Sequence, residues 1–345
     1  MARNSLGGEP VTLKTIAAEL GVSVTTVARA LKDGHKVGPE MVLKVRKTAD
    51  RLGYVRNLEG AKLRTGKTLV IMAFLSFTEE EEIGDSGSVG LLQGIHKRLA
   101  DTDYSVRAVP VAMGDLALEQ VSDVVRGRSA DGLILDHTEL QDERVKLLLE
   151  VDVPFVTYGR TELLSPHAWF DIDNEFAVWQ STTALLQDGY RRVALVDGDL
   201  RYSYVRQRVR GYEKALHEYG IELDPALIHH DMLNADRARK AAVKLLDSGA
   251  DSFVCVNELT FLGARAGARD RLGAGVNRLG FALRSGTNIG EYVATKVYTS
   301  HYSRQEAGWK LADLLLKRIE GTSPEDCQEL VKTTLRVNGA SHEAL

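Results

Sequence analysis

The chain is poor in cysteine: Cys255 and Cys327 are the only two among 345 residues. A disulfide framework or a thiolate metal site needs more. Cys255, inside the apolar run SFVCVN, reads as a small buried hydrophobe. Long apolar runs are missing as well. None approaches the ~18–20 residues that span a bilayer, so no membrane association is expected. The stretch MARNSLGGEPVTLK has no apolar centre and does not read as a secretory signal. A cytoplasmic location is the expectation by elimination. No His/Cys/Asp cluster has metal-ligand spacing, and no glycine-rich P-loop or G-x-G-x-x-G follows a strand. Neither a metal nor any other cofactor is expected. The last stretch, LVKTTLRVNGASHEAL, holds no leucine heptad, which argues against a tetramer built on a terminal coiled coil.

What is present fits a globular protein: 44% hydrophobic and 27% charged residues, over a length that suggests two or three domains. The formal net charge of −4 conceals an asymmetry. Residues 1–68 hold 13 Lys and Arg against 6 Asp and Glu, a surplus of seven positive charges; the remainder holds 31 against 42. A basic head on an acidic body points to a polyanion as the partner of the head.

The head parses into three short helices. TLKTIAAEL has Thr12 as N-cap, Leu13, Ile16, Ala17 and Leu20 on one face, and Gly21 as a stop. Ser23 can cap VTTVARAL, whose Val27, Ala30 and Leu31 face inward. After the loop KDGHKVG, Pro39 opens PEMVLKVRKTADRLGY and Gly53 closes it. Two helices joined by a short glycine turn match the helix-turn-helix pattern, which sets the second helix in the DNA major groove, N-terminal residues first. Arg29 can grip guanine, Val24 can touch a thymine methyl, and Thr25 can donate or accept. Thr12, Leu13, Ser23 and Thr26, at the two helix starts, join the candidate contact set. The competing possibility is a three-helix bundle with a solvated polar face.

From residue 69 the texture becomes strand–helix alternation: LVIMAFLS, SVGLLQGIHKRLAD, YSVRAV and onward to SFVCVN and ELTFLGARAGARDRLG. Such alternation implies right-handed βαβ units and mostly parallel sheets. Some 270 residues exceed one comfortable core, so two α/β halves with a cleft are expected. The strand ends after MAFLS, LILDH, FVTYGR, LVDGD and VCVNE should line it.

In this order the pieces resemble the lactose-repressor (LacI/GalR) family of bacterial transcription regulators. The resemblance is carried by VTLKTIAAELGVSVTTVARALKDG, by KVRKTADRLGYVRN with GAKLRTGKT, and by RQRVRGYEKAL. It implies an all-α helix-turn-helix headpiece (1–56), a hinge helix and linker (57–68), and a periplasmic-binding-protein-like α/β core of two doubly wound subdomains (69–345). It implies a homodimer on a pseudo-palindromic DNA operator, usually for repression, and a small-molecule effector, carbohydrate-like, in the core cleft. By the same resemblance Asn57 opens the hinge, Leu63 is the wedge between base steps, and Lys62 lies beside it in the minor groove. Arg56 stands where the family usually has proline, and Gly60 where alanine is common. Helix-interior glycine costs ~0.8–1 kcal/mol, so the hinge is expected to fold only on the operator.

For the cleft, the resemblance assigns Arg208 as the effector-gripping arginine and Asn257 as an amide at the cleft edge; Ser76 and Asp136 align more loosely. YGRTELLSPHAWFDIDN is denser in polar groups than a plain crossover needs, making Arg160, His167, Asp171 and Asp173 either effector contacts or fasteners. Ala282 replaces the family's usual aspartate in LGFALRSG, which leaves an unusual sugar, a sugar derivative or something less hydroxylated open as effector; Arg160 and Arg208 would also tolerate an acid or a phosphate. Two alternatives compete. GDSGS at 84–88 is reminiscent of a protease nucleophile loop but lacks both an all-β setting and the last glycine of G-x-S-x-G, so no catalytic residue is assigned. A transported-solute receptor would share the core but not the DNA-like head.

Overall fold

In the computed structural model the described residues are 11–32, 34, 36–54, 66–77, 86–112, 117–151, 153–231, 234–293 and 296–338. The chain divides into two compact units, Met1–Lys67 and Thr68–Leu345.

The first unit holds α1 (Leu13–Leu20), α2 (Val24–Lys32) and α3 (Pro39–Leu52). Thr12 caps α1 in a reciprocal box with Thr15: each hydroxyl accepts the other residue's backbone N–H, at 3.3 and 3.2 Å. Gly21 ends α1 at φ +63°, a left-handed conformation that costs glycine little. The Ser23 hydroxyl accepts the Thr26 N–H at 3.0 Å and so caps α2. Ile16, Ala17, Val27, Ala30, Val45 and Ala49 form the small core. Their spacing along each helix is the apolar stripe read in the sequence.

The second unit contains two six-stranded sheets. The first runs β2–β1–β3–β4–β5–β11, every pairing parallel: β1 (Val70–Phe77), β2 (Ser105–Ala112), β3 (Gly132–Leu135), β4 (Phe155–Tyr158), β5 (Ala168–Ile172) and β11 (Gln328–Val331). The second runs β7–β6–β8–β9–β10–β12: β6 (Val193–Asp197), β7 (Ile228–His230), β8 (Ser252–Cys255), β9 (Gly280–Ser285), β10 (Val297–His301) and β12 (Thr334–Asn338). Only β12 is antiparallel to its neighbour. Among the described residues the helices of this unit are α4 (Ser86–Leu99), α5 (Leu118–Gly127), α6 (Glu143–Val151), α7 (Asn174–Gln187), α8 (Ser203–Glu218), α9 (Ala235–Asp247), α10 (Glu258–Leu272) and α11 (Arg304–Ile319).

The inner strands of both sheets are buried on both faces, which explains why strands such as GLIL, FVTY and SFVC are mostly apolar, whereas the edge strands β7, β11 and β12 are partly or largely exposed. The chain passes between the halves three times, from β5 to α7, from β10 to α11, and from β11 to β12. Helix α11 thus returns to the first half, where Leu311 and Leu315 share a core with Leu91 and Ile95 of α4. This pair is drawn close by glycine on both sides: a Cβ on Gly94 would stand 1.9 Å from the Gln305 carbonyl, and one on Gly308 2.0 Å from that of Leu91. Among the described residues no helix is long and apolar enough to cross a membrane.

Candidate functional site

In each sheet the strand order reverses beside the first strand, between β1 and β3 and between β6 and β8. Ligands of open α/β sheets settle outside the carboxyl ends of strands at such switch points. Here the two switch points face each other across one cavity of about 90 Å³. Ser76, Asp136, Tyr158 and Asp171 reach it from the first half; Tyr204, Arg208, Asn257 and Arg284 reach it from the second, with Arg304 at the start of α11.

The first-half wall is built on a tight turn. Asp136, 8% exposed, accepts the His137 backbone N–H at 2.7 Å, and the imidazole lies 3.0 Å from its other oxygen. Burial alone would raise the Asp136 carboxyl, but the charge and hydrogen bonds of His137, with Arg304 farther off, hold it below its ordinary value. His137 has φ +53°, unfavourable for a side-chain-bearing residue. Buried Arg144 fixes that turn by donating to the carbonyls of Asp136 and His137 at 3.0 and 3.1 Å while paired with Asp142.

Asp171 is 2% exposed and accepts from Arg160 Nε at 2.8 Å and from Asn174 Nδ2 at 3.1 Å. Burial pushes its carboxyl up to about 6 against the pull of Arg160. On the other wall, Arg208 is buried and bound through two nitrogens to Asp197 at the end of β6, Nε at 2.9 Å. Its guanidinium lies 4.7 Å from the Tyr204 ring centre. Tyr204 stacks on Tyr202 at 5.3 Å, and His137 of the first half stands edge-on to both at 5.6 Å. Beside this cluster Ser203 donates its N–H to the Thr138 carbonyl at 3.2 Å, a direct bond between the halves.

Five of the candidate effector residues therefore line the cavity together: Ser76, Asp136, Asp171, Arg208 and Asn257. Asn257 also caps α10, its amide oxygen accepting the Thr260 N–H at 2.8 Å, so what it offers the cavity is its NH2 group. Three others lie off the cavity. Arg160 holds Asp171 from outside and lies over Trp169. His167 is buried against Phe155, its Nε2 3.1 Å from the Thr157 hydroxyl. That hydroxyl gives its proton to the Gly159 carbonyl at 2.6 Å, so His167 is the donor between them. Burial drives the His167 imidazole down to about 4. Asp173 caps α7 through the Phe176 N–H and ties its own N–H to Val331 at 2.7 Å; it fastens a crossing. Tyr158, Tyr204, Arg284 and Arg304 were not anticipated. Ala282 sits in mid-strand with no exposure, and the residue of β9 that reaches the cavity is Arg284, two positions on.

In the first unit, Val24, Thr25 and Arg29 are exposed on one side of α2, while Val27 and Ala30 are buried on the other. Ser23 and Thr12 are exposed at the helix starts, and Leu13 and Thr26 are half-buried. Among the described residues Arg29 has no carboxylate partner. Asn57, Lys62 and Leu63 lie outside the described residues.

A helix-turn-helix unit on a two-lobed α/β body with a polar cleft defines a ligand-responsive DNA-binding regulator. Residues 12–57 match the family of bacterial regulatory proteins of the lacI type, and residues 82–334 match that of periplasmic binding proteins and the sugar-binding domain of the LacI family. The chain belongs to the LacI family of transcriptional regulators. Among curated relatives, the HTH-type transcriptional regulator RafR of Escherichia coli is 31% identical over 324 residues, covering 92% of this chain and 95% of RafR. CelR of Thermobifida fusca is 26% identical over 335 residues, covering 94% and 97%. Among solved structures, a CelR–cellobiose complex superposes with a TM-score of 0.71 at 23% identity, covering 96% of this chain and all of that one. The lac repressor dimer bound to operator and the anti-inducer ONPF superposes with a TM-score of 0.72 at 20% identity, covering 96% and 99%.

Proposed function

We propose that this regulator is a cytoplasmic repressor that binds a pseudo-palindromic operator as a homodimer, and that a sugar or sugar derivative in the cleft sets its operator affinity. It works by binding and not by catalysis. Residues 1–56 read DNA, 57–68 form the hinge, and 69–345 bind effector and dimerise. The observation that carries this is the placement of Ser76, Asp136, Arg208 and Asn257 around one cavity at paired switch points. The CelR–cellobiose complex and the operator-bound lac repressor dimer, which share the fold, support it.

The mechanism is a population shift. The Ser203–Thr138 bond and the His137–Tyr204 contact join the halves at the edge of the cavity. An effector held by both walls favours one arrangement of the halves over another, and only that differential affinity moves the equilibrium. The relation between paired hinges in the dimer then changes, and with it their grip on the minor groove.

The test is fluorescence anisotropy of the full chain on duplexes selected from a random pseudo-palindromic library, titrated with sugars, sugar acids and polyols. A sequence preference that weakens with salt, and a midpoint shifted about 5–150-fold by at least one compound, is the expected result. A chain that prefers no duplex, or one that no compound moves, contradicts the proposal.

A further inference from the structure

Three arginines bear on the cleft, and they are not equivalent. Arg208 has its counter-charge in Asp197. Arg304 donates to the Tyr158 hydroxyl at 2.8 Å. Arg284, at the carboxyl end of β9, is 5% exposed and lines the cavity, yet among the described residues it forms no ion pair. Its Nε has no hydrogen-bond partner, and its Nη2 reaches only the same Tyr158 hydroxyl, at 3.4 Å. Two guanidinium groups thus converge on one phenol oxygen. A buried cation normally has a paired anion, because an uncompensated charge away from water is costly.

Among the described residues the nearby carboxylates are already engaged. Asp136 faces His137, Asp171 is held by Arg160, and Glu258 accepts the hydroxyls of Ser285 and Thr287 at 2.6 and 2.9 Å. None of them pairs with Arg284. The planar fork of a guanidinium fits a carboxylate or phosphate in a two-bond arrangement.

We infer that the effector carries an oxyanion, a carboxylate or a phosphate on a sugar-like body, which seats against Arg284 beside Arg304. This rests on the proposal that the cleft holds a sugar-type effector, and it names that effector's charge. Arg208, Asn257 and the carboxylate side chains of the first half remain for the hydroxyls.

Isothermal titration of the full chain with matched compounds tests it: glucose against glucuronate and glucose 6-phosphate, and cellobiose against cellobionate. At least one oxyanion-bearing member should bind about tenfold or more tighter than its neutral twin, with affinity falling as salt rises. The carboxylate and phosphate arms report which oxyanion is preferred. Arg284→Gln should shrink the preference to within a few-fold and leave the ligand-free melting temperature unchanged or higher, since it removes a buried charge that has no ion pair among the described residues. Arg284→Lys, with charge but no fork, should fall between. A neutral twin that binds as tightly as its anion overturns the inference and leaves a sugar-controlled regulator standing. A lowered ligand-free melting temperature in Arg284→Gln overturns it too, by marking Arg284 as a structural cation. If no compound binds and none alters operator occupancy, the sugar-effector proposal fails and takes this inference with it.

Discussion

Arg29 on α2 and Arg208 on α8 are the same side chain at the two surfaces proposed to bind DNA and effector, and their surroundings are opposite. Arg29 is exposed and has no partner among the described residues; Arg208 is buried, ion-paired to Asp197 and covered by Tyr204. The head presents charge that is already hydrated and can be exchanged for phosphate, at a cost that depends on salt. At Arg208 the cleft presents charge that is neutralised in advance, so that residue's selectivity comes from the direction of its hydrogen bonds. A single arginine therefore has a different structural weight in each region, and substitution should separate the two.

The largest effect is expected at Arg208. Replacing it with alanine leaves Asp197 buried and unpaired, which destabilises by about 3–5 kcal/mol. Arg208→Ala is thus a folding variant as much as an effector-blind one. The double change Asp197→Asn with Arg208→Gln keeps the site neutral and should recover most of that loss while still abolishing the effector response. Arg29→Ala should change stability by less than about 0.5 kcal/mol yet weaken operator binding by about 1–3 kcal/mol and relax one base position. Urea melts set beside anisotropy titrations check both halves of the contrast. Equal melting behaviour of the two alanine variants would erase it.

A second contrast lies within the body and depends on pH. The His167 imidazole, pushed down to about 4 by burial, takes up fewer protons in the folded than in the unfolded chain, where ~6.5 is usual. Its neutral burial is without penalty above pH 6.5, and stability is lost as pH falls from there to 4. Asp171, raised to about 6 by burial, acts in reverse: the folded chain binds the extra proton, and stability is gained as pH falls from 6 to 4. Each is worth about 3 kcal/mol, so the two nearly cancel in the intact chain. His167→Asn should become more stable relative to the parent on acidification, and Asp171→Asn less stable. Denaturation midpoints between pH 4 and 7 give the two slopes; slopes of the same sign would refute the opposition.

The head was legible because its signals are local. Thr12, Gly21, Ser23, Pro39 and Gly53 each act within a few residues, and the stripe of Ile16, Val27, Ala30, Val45 and Ala49 has the period of a helix. The α/β body was legible as alternation, and five of eight candidate cleft residues line the cavity. The polar density of YGRTELLSPHAWFDIDN had a mixed cause. It contains β5 and the first crossing, so Asp171 reaches the cavity while Arg160 and Asp173 fasten it from behind. What stayed hidden depends on topology. Arg304 enters the site only because α11 returns to the first half after β10. Tyr158 and Arg284 meet across 126 residues of chain, at the ends of strands in different sheets. No periodicity in either strand announces the other.

Ser23 gives the smallest expected effect and the finest division between reading DNA and holding the fold. It was placed among the DNA contacts, and its hydroxyl is engaged within the head, accepting the Thr26 N–H at 3.0 Å and lying 2.8 Å from the Thr26 hydroxyl. Removing a cap of this kind costs about 1 kcal/mol, a sizeable share for a three-helix core of so few apolar side chains. Ser23→Ala should lower the head's stability by that amount, and its thermal midpoint with it, and weaken operator binding through the fold. Ser23→Asp keeps a capping oxygen and places a carboxylate where the positive end of α2 favours it, so the midpoint should hold. The same carboxylate would then face phosphate, and operator affinity should drop more steeply at low salt than at high salt. Calorimetry of both variants, paired with anisotropy at two salt concentrations, separates these outcomes. If Ser23→Asp binds the operator like the parent at low salt, the start of α2 does not lie against the DNA backbone.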